Sequence, residues 1–190
     1  MITVSHPHKR IFAAVLLAVG ISLPVSHAAA ADEARVDELF AELLQADEAK
    51  TMALVEMISA EWSKSGSPAI DLLLQRGLDA MAAGDPTRAV EHFTAAIDHD
   101  PGFAGAYNAR AEAYYQTGDI GPALRDLGQA ILLNPRHFGA RLGFAFMLEE
   151  MGRPADALQN YREVQAILPN DAAVAEAVRR LSVLLEGQAL

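Results

Sequence analysis

The 190-residue chain has no cysteine, which excludes disulfides, thiolate metal sites, cysteine nucleophiles and an acylated lipoprotein cysteine. Aromatic residues are scarce at 6 %, and runs of Val, Ile and Thr are few, while Ala and Leu dominate a 52 % hydrophobic fraction. That balance favours helices over sheet. Bases are outnumbered, 15 Lys+Arg against 25 Asp+Glu for a formal net charge of −10. A nucleic-acid binder needs a clustered basic surface, so that class is excluded. The length suits one domain with a real core.

The first thirty residues have the pattern of an address. Met1 to Arg10 carries only positive charge, on Lys9 and Arg10. The 13 residues Ile11 to Leu23 are an apolar run, broken by Pro24 and followed by the small residues Ala28 to Ala31 before Asp32. A spanning helix needs roughly 20 apolar residues, which are reached here only by counting Pro24, Ser26 and His27. Residues 1–31 therefore read as a cleavable secretory signal of bacterial flavour, cut near Ala28–Ala31, and the mature chain is expected in the periplasm or outside the cell. Removing that segment takes away two bases and no acid, which leaves 13 bases against 25 acids and a net charge of −12. Such a chain is soluble and is repelled by anionic lipid.

A 34-residue period governs the rest. Pro101, Pro135 and Pro169 keep that step, as do Gly84, Gly118 and Gly152; Ala89, Ala123 and Ala157; Phe93, Leu127 and Tyr161; and Gly77, Ala111 and Ala145. Each unit reads as an amphipathic helix, a glycine turn, a second amphipathic helix and a proline stop. Leu73, Gly77 and Ala80 share one face of a first helix, and Ala89, Phe93 and Ala96 share one face of the next.

The turn chemistry agrees with the period. Gly84, Gly118 and Gly152 suit the left-handed residue that ends a helix. Pro86 and Pro154 stand at the first position of a second helix, and Asp119 is placed as the N-cap of the middle one. Asn134 and Leu168 precede prolines, which pushes them out of helical geometry. The recurring small residues allow two antiparallel helices to approach closely, with an aromatic or Leu four residues on filling the gap.

On these residues the chain resembles the tetratricopeptide repeat family, with three tandem copies across residues 69–169, at about 70–103, 104–137 and 138–171. The middle unit fits best, through Tyr107, Ala111, Tyr114, Ala123, Leu127, Ala130 and Pro135. The first departs with Ala80 where an aromatic belongs; the third departs with Arg141 at the opening bulky position and Val164 for the final Ala. The resemblance implies an all-α fold, a right-handed α-solenoid of helix-turn-helix repeats.

The flanks are expected to complete the stack. Residues 32–68 read as an N-terminal helical hairpin breaking near Ala46-Asp47, with one stripe of Leu39, Phe40, Leu43 and Leu44 and another of Leu54, Val55, Ile58 and Trp62. It is either a plain hairpin or a degenerate fourth repeat. Residues 170–190 read as a capping helix and tail, begun by Asn170-Asp171 and apolar at Ala175, Val178, Leu181, Leu184 and Leu185. Terminal repeats need such a cap to cover their exposed face.

No catalytic constellation stands out. His92, His99 and His137 have no metal-ligand spacing and read as surface or helix-end residues. The few serines lack a nucleophile elbow, and no glycine cluster cradles phosphate. No metal, no cofactor and no enzymatic activity is expected.

The resemblance places a partner groove on the first helices: Leu74, Leu78 and Met81; Asn108, Glu112 and Tyr115; Leu142, Phe146 and Glu149. It is apolar with interleaved acid, so a protein or peptide segment with apolar anchors and some basic residues would complement it. Asn108, Glu112, Tyr115, Phe146 and Glu149 are the sharper candidates, with Tyr115 and Phe146 as anchors and Glu112 and Glu149 as the groups that choose basic partners. The alternative for Leu74, Leu78 and Phe146 is burial under the hairpin or cap helix. Repeats of the cochaperone type grip a carboxylate with Lys, Arg and Asn. Here Leu74 and Leu78 replace the opening Lys and Asn, and Gly139 and Gly143 stand where cations belong. The expected role is a non-enzymatic scaffold or adaptor of the cell envelope; the alternative is a self-assembling structural protein or homodimer.

Overall fold

The computed structural model of the chain describes residues 27–188, and side chains from 33 to 187. The expected signal segment lies outside the described residues up to position 26. The described residues form nine helices: α1 His27–Leu43, α2 Glu48–Trp62, α3 Pro68–Ala82, α4 Pro86–His99, α5 Ala104–Thr117, α6 Ile120–Leu133, α7 Phe138–Glu150, α8 Pro154–Ile167 and α9 Ala172–Gln188. None is long and apolar enough to cross a membrane.

The three turns inside the pairs α3–α4, α5–α6 and α7–α8 are copies of one another. Gly84, Gly118 and Gly152 have φ of 74°, 82° and 71°. The next residue donates its N–H back five positions, Asp85 to Ala80, Asp119 to Tyr114 and Arg153 to Leu148, at 2.8–2.9 Å. This closes the end of each first helix by the same backbone geometry. Pro86 and Pro154 open α4 and α8. The Asp85 carboxylate accepts from the Arg88 N–H at 3.0 Å. Asp119 holds the corresponding position of α6 without capping it, because its carboxylate accepts instead from the Thr117 hydroxyl at 2.7 Å.

Small residues set the spacing of the pairs. Ala89, Ala111, Ala123, Ala145 and Ala157 are all buried. A Cβ on Gly77 would overlap the buried Phe93 ring of α4. Successive apolar clusters then run from α3–α5 through α5–α7 to α7–α9. The departure at Arg141 is explained by an ion pair across α7–α8 to Glu163.

One polar feature is buried within this stack. Arg110 of α5 donates through Nε and Nη2 to the two carboxylate oxygens of Asp126 on α6, at 2.7 and 2.9 Å, and through Nη1 to the Thr94 hydroxyl of α4 at 3.1 Å. The guanidinium lies 5.6 and 5.8 Å from the Tyr107 and Tyr114 ring centres. A carboxylate buried with its base, both oxygens satisfied, joins three helices in one register.

The cap helix begins with the Asp171 carboxylate accepting from the Val174 N–H at 2.9 Å. It lays Leu181, Ala177, Val178 and Leu185 on the last repeat, while Leu184, expected on that face, is exposed. The N-terminal hairpin packs as the sequence stripes require, except that Leu44 faces solvent. It does not extend the stack as a fourth repeat would. Its buried residues Leu39, Leu43, Leu54 and Ile58 cluster with Phe138, Val164, Leu168 and Val174 at the other end of the molecule, and with none from α3 or α4.

Candidate functional site

The first helices α3, α5 and α7 carry the nine groove positions, at corresponding places in each repeat. Leu74 is 4 % exposed and belongs to the α3–α5 core, so of the apolar trio offered to a partner it is the one taken by packing. Leu78 and Phe146 remain 40 % and 46 % exposed, and Met81 is half-buried against the core. Leu142 is partly covered, because it packs against the hairpin cluster. Asn108 and Glu112 line the middle of the groove.

The hairpin divides the groove in two. At the N-terminal ends of α5 and α7, Trp62 and Ser59 of α2 close over Leu74, Leu78, Asn108 and Phe138 around a cavity of about 160 Å³. Toward the C-terminal ends an open hollow of about 330 Å³ is lined by Asn108, Glu112, Tyr115, Gly143, Phe146 and Met147. It adjoins a second hollow of about 430 Å³, bounded by Leu142, Phe146, Tyr161 and Val174. A side chain at Gly143 would press on Leu127, so the floor between the two hollows stays low.

Tyr115 and Phe146 meet edge to face, with ring centres 5.8 Å apart and planes at 74°. The Tyr115 hydroxyl donates to the Glu150 carboxylate at 2.9 Å, an interaction that raises its pKa above the ordinary phenol value. The two rings thus form one preformed wall. Glu149 differs from its expected part: Arg180 of α9 already holds its carboxylate, and that hydrogen bond lowers its pKa. Glu112, by contrast, is exposed and has no ionic partner among the described residues.

His137 is a helix-end residue, as its position suggested, but a buried one, 6 % exposed. Its Nδ1 accepts from the Ala140 N–H at 3.1 Å and caps α7. Its ring stacks on Trp62 at 4.8 Å with 24° between the planes. Burial pushes its pKa down to about 4. Next to it, Arg136 pairs with Asp37 at 2.7 Å and lies 4.5 Å over the Phe40 ring, which pins α1 to the start of α7. This junction was not legible as a site, although a single Trp in 190 residues was its one available signal.

A tetratricopeptide repeat family model matches residues 74–132. The chain is 30 % identical over 162 residues to a TPR repeat-containing protein of Rhizobium etli, covering 85 % of this chain and 79 % of that one. It is 33 % identical over 108 residues to DnaJ homolog subfamily C member 3 of Rattus norvegicus, of which it spans 21 %. Among solved structures it superposes on the first TPR of Spaghetti (RPAP3) bound to the HSP90 peptide SRMEEVD, with a TM-score of 0.58, 22 % identity and coverage of 62 % of this chain and 93 % of that one. It also superposes on the Sgt2 TPR domain from Aspergillus fumigatus, with a TM-score of 0.59, 22 % identity and coverage of 65 % and 83 %.

Proposed function

The chain belongs to the tetratricopeptide repeat family, and from that premise we propose that it is a non-enzymatic scaffold or adaptor of the bacterial periplasm, binding a partner segment in the open half of its groove. The carrying observation is the Tyr115–Phe146 wall beside Glu112, an apolar surface with an exposed acid on its rim. A segment with an apolar side chain for the hollow and a Lys or Arg for Glu112 complements it. Solved domains of this fold hold chaperone peptides, one of them SRMEEVD. Such acidic ends do not suit a groove with Leu74, Leu78, Gly139 and Gly143 at the clamp positions and the exposed Glu112 among them. A partner of the opposite charge fits better.

The test is capture of partners from the envelope by wild-type protein and by the Tyr115→Ala/Phe146→Ala variant, both confirmed as folded by melting. A partner recovered at least tenfold less by the variant supports the reading; equal recovery moves the site elsewhere. Export is checked by the mass of the purified mature protein, which is expected to begin between residues 29 and 32. The outer face of α9 leaves Val183 and Leu184 exposed, the observation that favours a homodimer as the second reading. Light scattering on the purified protein decides that point.

A further inference from the structure

The open hollow is only half of the concave face. The other half, over the N-terminal ends of α5 and α7, is covered by a helix of the chain itself. Leu54, Ile58 and Trp62 stand at i, i+4 and i+8 of α2 and form one stripe of an amphipathic helix. Leu54 and Ile58 are fully buried, in a cluster with Phe138, Leu142 and Val174 from the far end of the stack.

The receiving surface is shaped for a helix. The Trp62 carbonyl crosses Gly105 of α5 so closely that a Cβ there would stand 2.5 Å from its oxygen. Gly139 repeats that small residue one unit later, and both line the cavity beneath α2. The hairpin is joined to α3 by the connector of residues 63–67, which turns at Gly66 with φ of 79°. Its rim contacts are the Arg136–Asp37 pair, on two substantially exposed side chains, and a hydrogen bond from Asn170 to the Ala46 carbonyl at 2.7 Å. Exposed ion pairs contribute little, so the apolar stripe supplies most of the docking.

We infer that the α1–α2 hairpin is an internal occupant of the concave face, and that the surface beneath it receives an amphipathic partner helix with two aliphatic residues and one aromatic at i, i+4 and i+8, in competition with α2. This goes beyond the open-half site proposed above and adds a second, covered binding surface on the same concave face. An incoming helix of that pattern replaces the contacts α2 gives up, so exchange leaves Phe138, Leu142 and Val174 covered throughout. A short tether holds α2 at a high effective concentration, on the order of millimolar, and this sets the threshold an outside helix must pass.

The probe is a fluorescein-labelled peptide of residues 47–64, α2 itself, titrated into the full-length protein and read by anisotropy. Wild type is expected to bind it weakly. The Leu54→Ala/Ile58→Ala variant, altered only in the hairpin, is expected to bind at least tenfold more tightly, and adding Phe138→Ala/Leu142→Ala is expected to abolish that gain. Before peptide is added, Trp62 emission reports the hairpin's position, since Trp62 is the only tryptophan of the chain. A red-shifted emission with cooperative melting retained marks release. Release without tighter peptide binding overturns the inference, and so does an emission and affinity unchanged from wild type. Should that variant fail to fold, Asp37→Ala/Phe40→Ala, which loosens the hairpin's rim over Arg136, is judged by the same two readouts. Neither readout involves Tyr115 or the captured partner, so failure here and failure of the proposed function are told apart.

Discussion

The Trp62 indole lies 4.8 Å from the His137 imidazole and nearly parallel to it, which joins the N-terminal hairpin to the helix N-terminus that His137 caps. The cap requires the neutral ring. Nδ1 accepts a hydrogen bond from the Ala140 N–H, which a protonated ring cannot do.

Acidification should therefore undo this junction. The pKa of His137 is about 4 in the folded chain, below its ordinary value of 6.5, so the unfolded chain takes up the proton first. Stability from this group is complete above pH 6.5 and is lost as pH falls toward 4. The loss reaches up to about 3 kcal/mol, because each tenfold difference in proton affinity between the folded and unfolded chain is worth about 1.4 kcal/mol. Urea midpoints between pH 7 and 4 check this: a His137→Asn variant should show a shallower decline across that window than wild type.

Gly77→Ala should destabilise the first repeat. In an ordinary helix interior this change is favourable by roughly 1 kcal/mol. Here the new methyl would overlap the buried Phe93 ring, and overpacking costs about 1–3 kcal/mol. The expected result is a lower melting temperature; a rise would show that Phe93 can move aside.

Ala123→Leu tests the same contact in the middle repeat. Ala123 is fully buried between α5 and α6, and three added carbons have no space to enter. A loss of about 1–3 kcal/mol in chemical denaturation is expected.

Breaking the buried pair should cost more than replacing it. Asp126→Ala leaves the Arg110 guanidinium without its carboxylate, for a loss of about 3 kcal/mol. Arg110→Met/Asp126→Leu removes both charges and should recover most of that loss. A double variant no more stable than the single one would mean that the pair sets the helix register and not only its own neutrality.

Much of the fold can be read from local chemistry. Gly84, Gly118 and Gly152 end helices because glycine alone adopts positive φ freely, and Pro86 and Pro154 begin them because their missing N–H is not needed there. These causes act within a few residues, so a 34-residue period displays them directly. The nine groove positions are what the family resemblance implies for this phase. Whether each is available is not implied by it. Glu149 is occupied by Arg180, which is 31 residues further along, and Leu142 is partly covered by the hairpin.

By itself the sequence determined the repeat, its turns, its small-residue contacts and the helices at either end, because each depends on neighbours one or two turns away. Tertiary structure decided where the N-terminal hairpin lies. Its apolar stripes state only that they must be buried, and burial is non-directional: α3 and α4 or the far end of the groove would satisfy them equally. The choice rests on shape, on Gly105 admitting the Trp62 backbone and on His137 and Phe138 meeting its ring, contacts more than forty residues apart that no local pattern encodes.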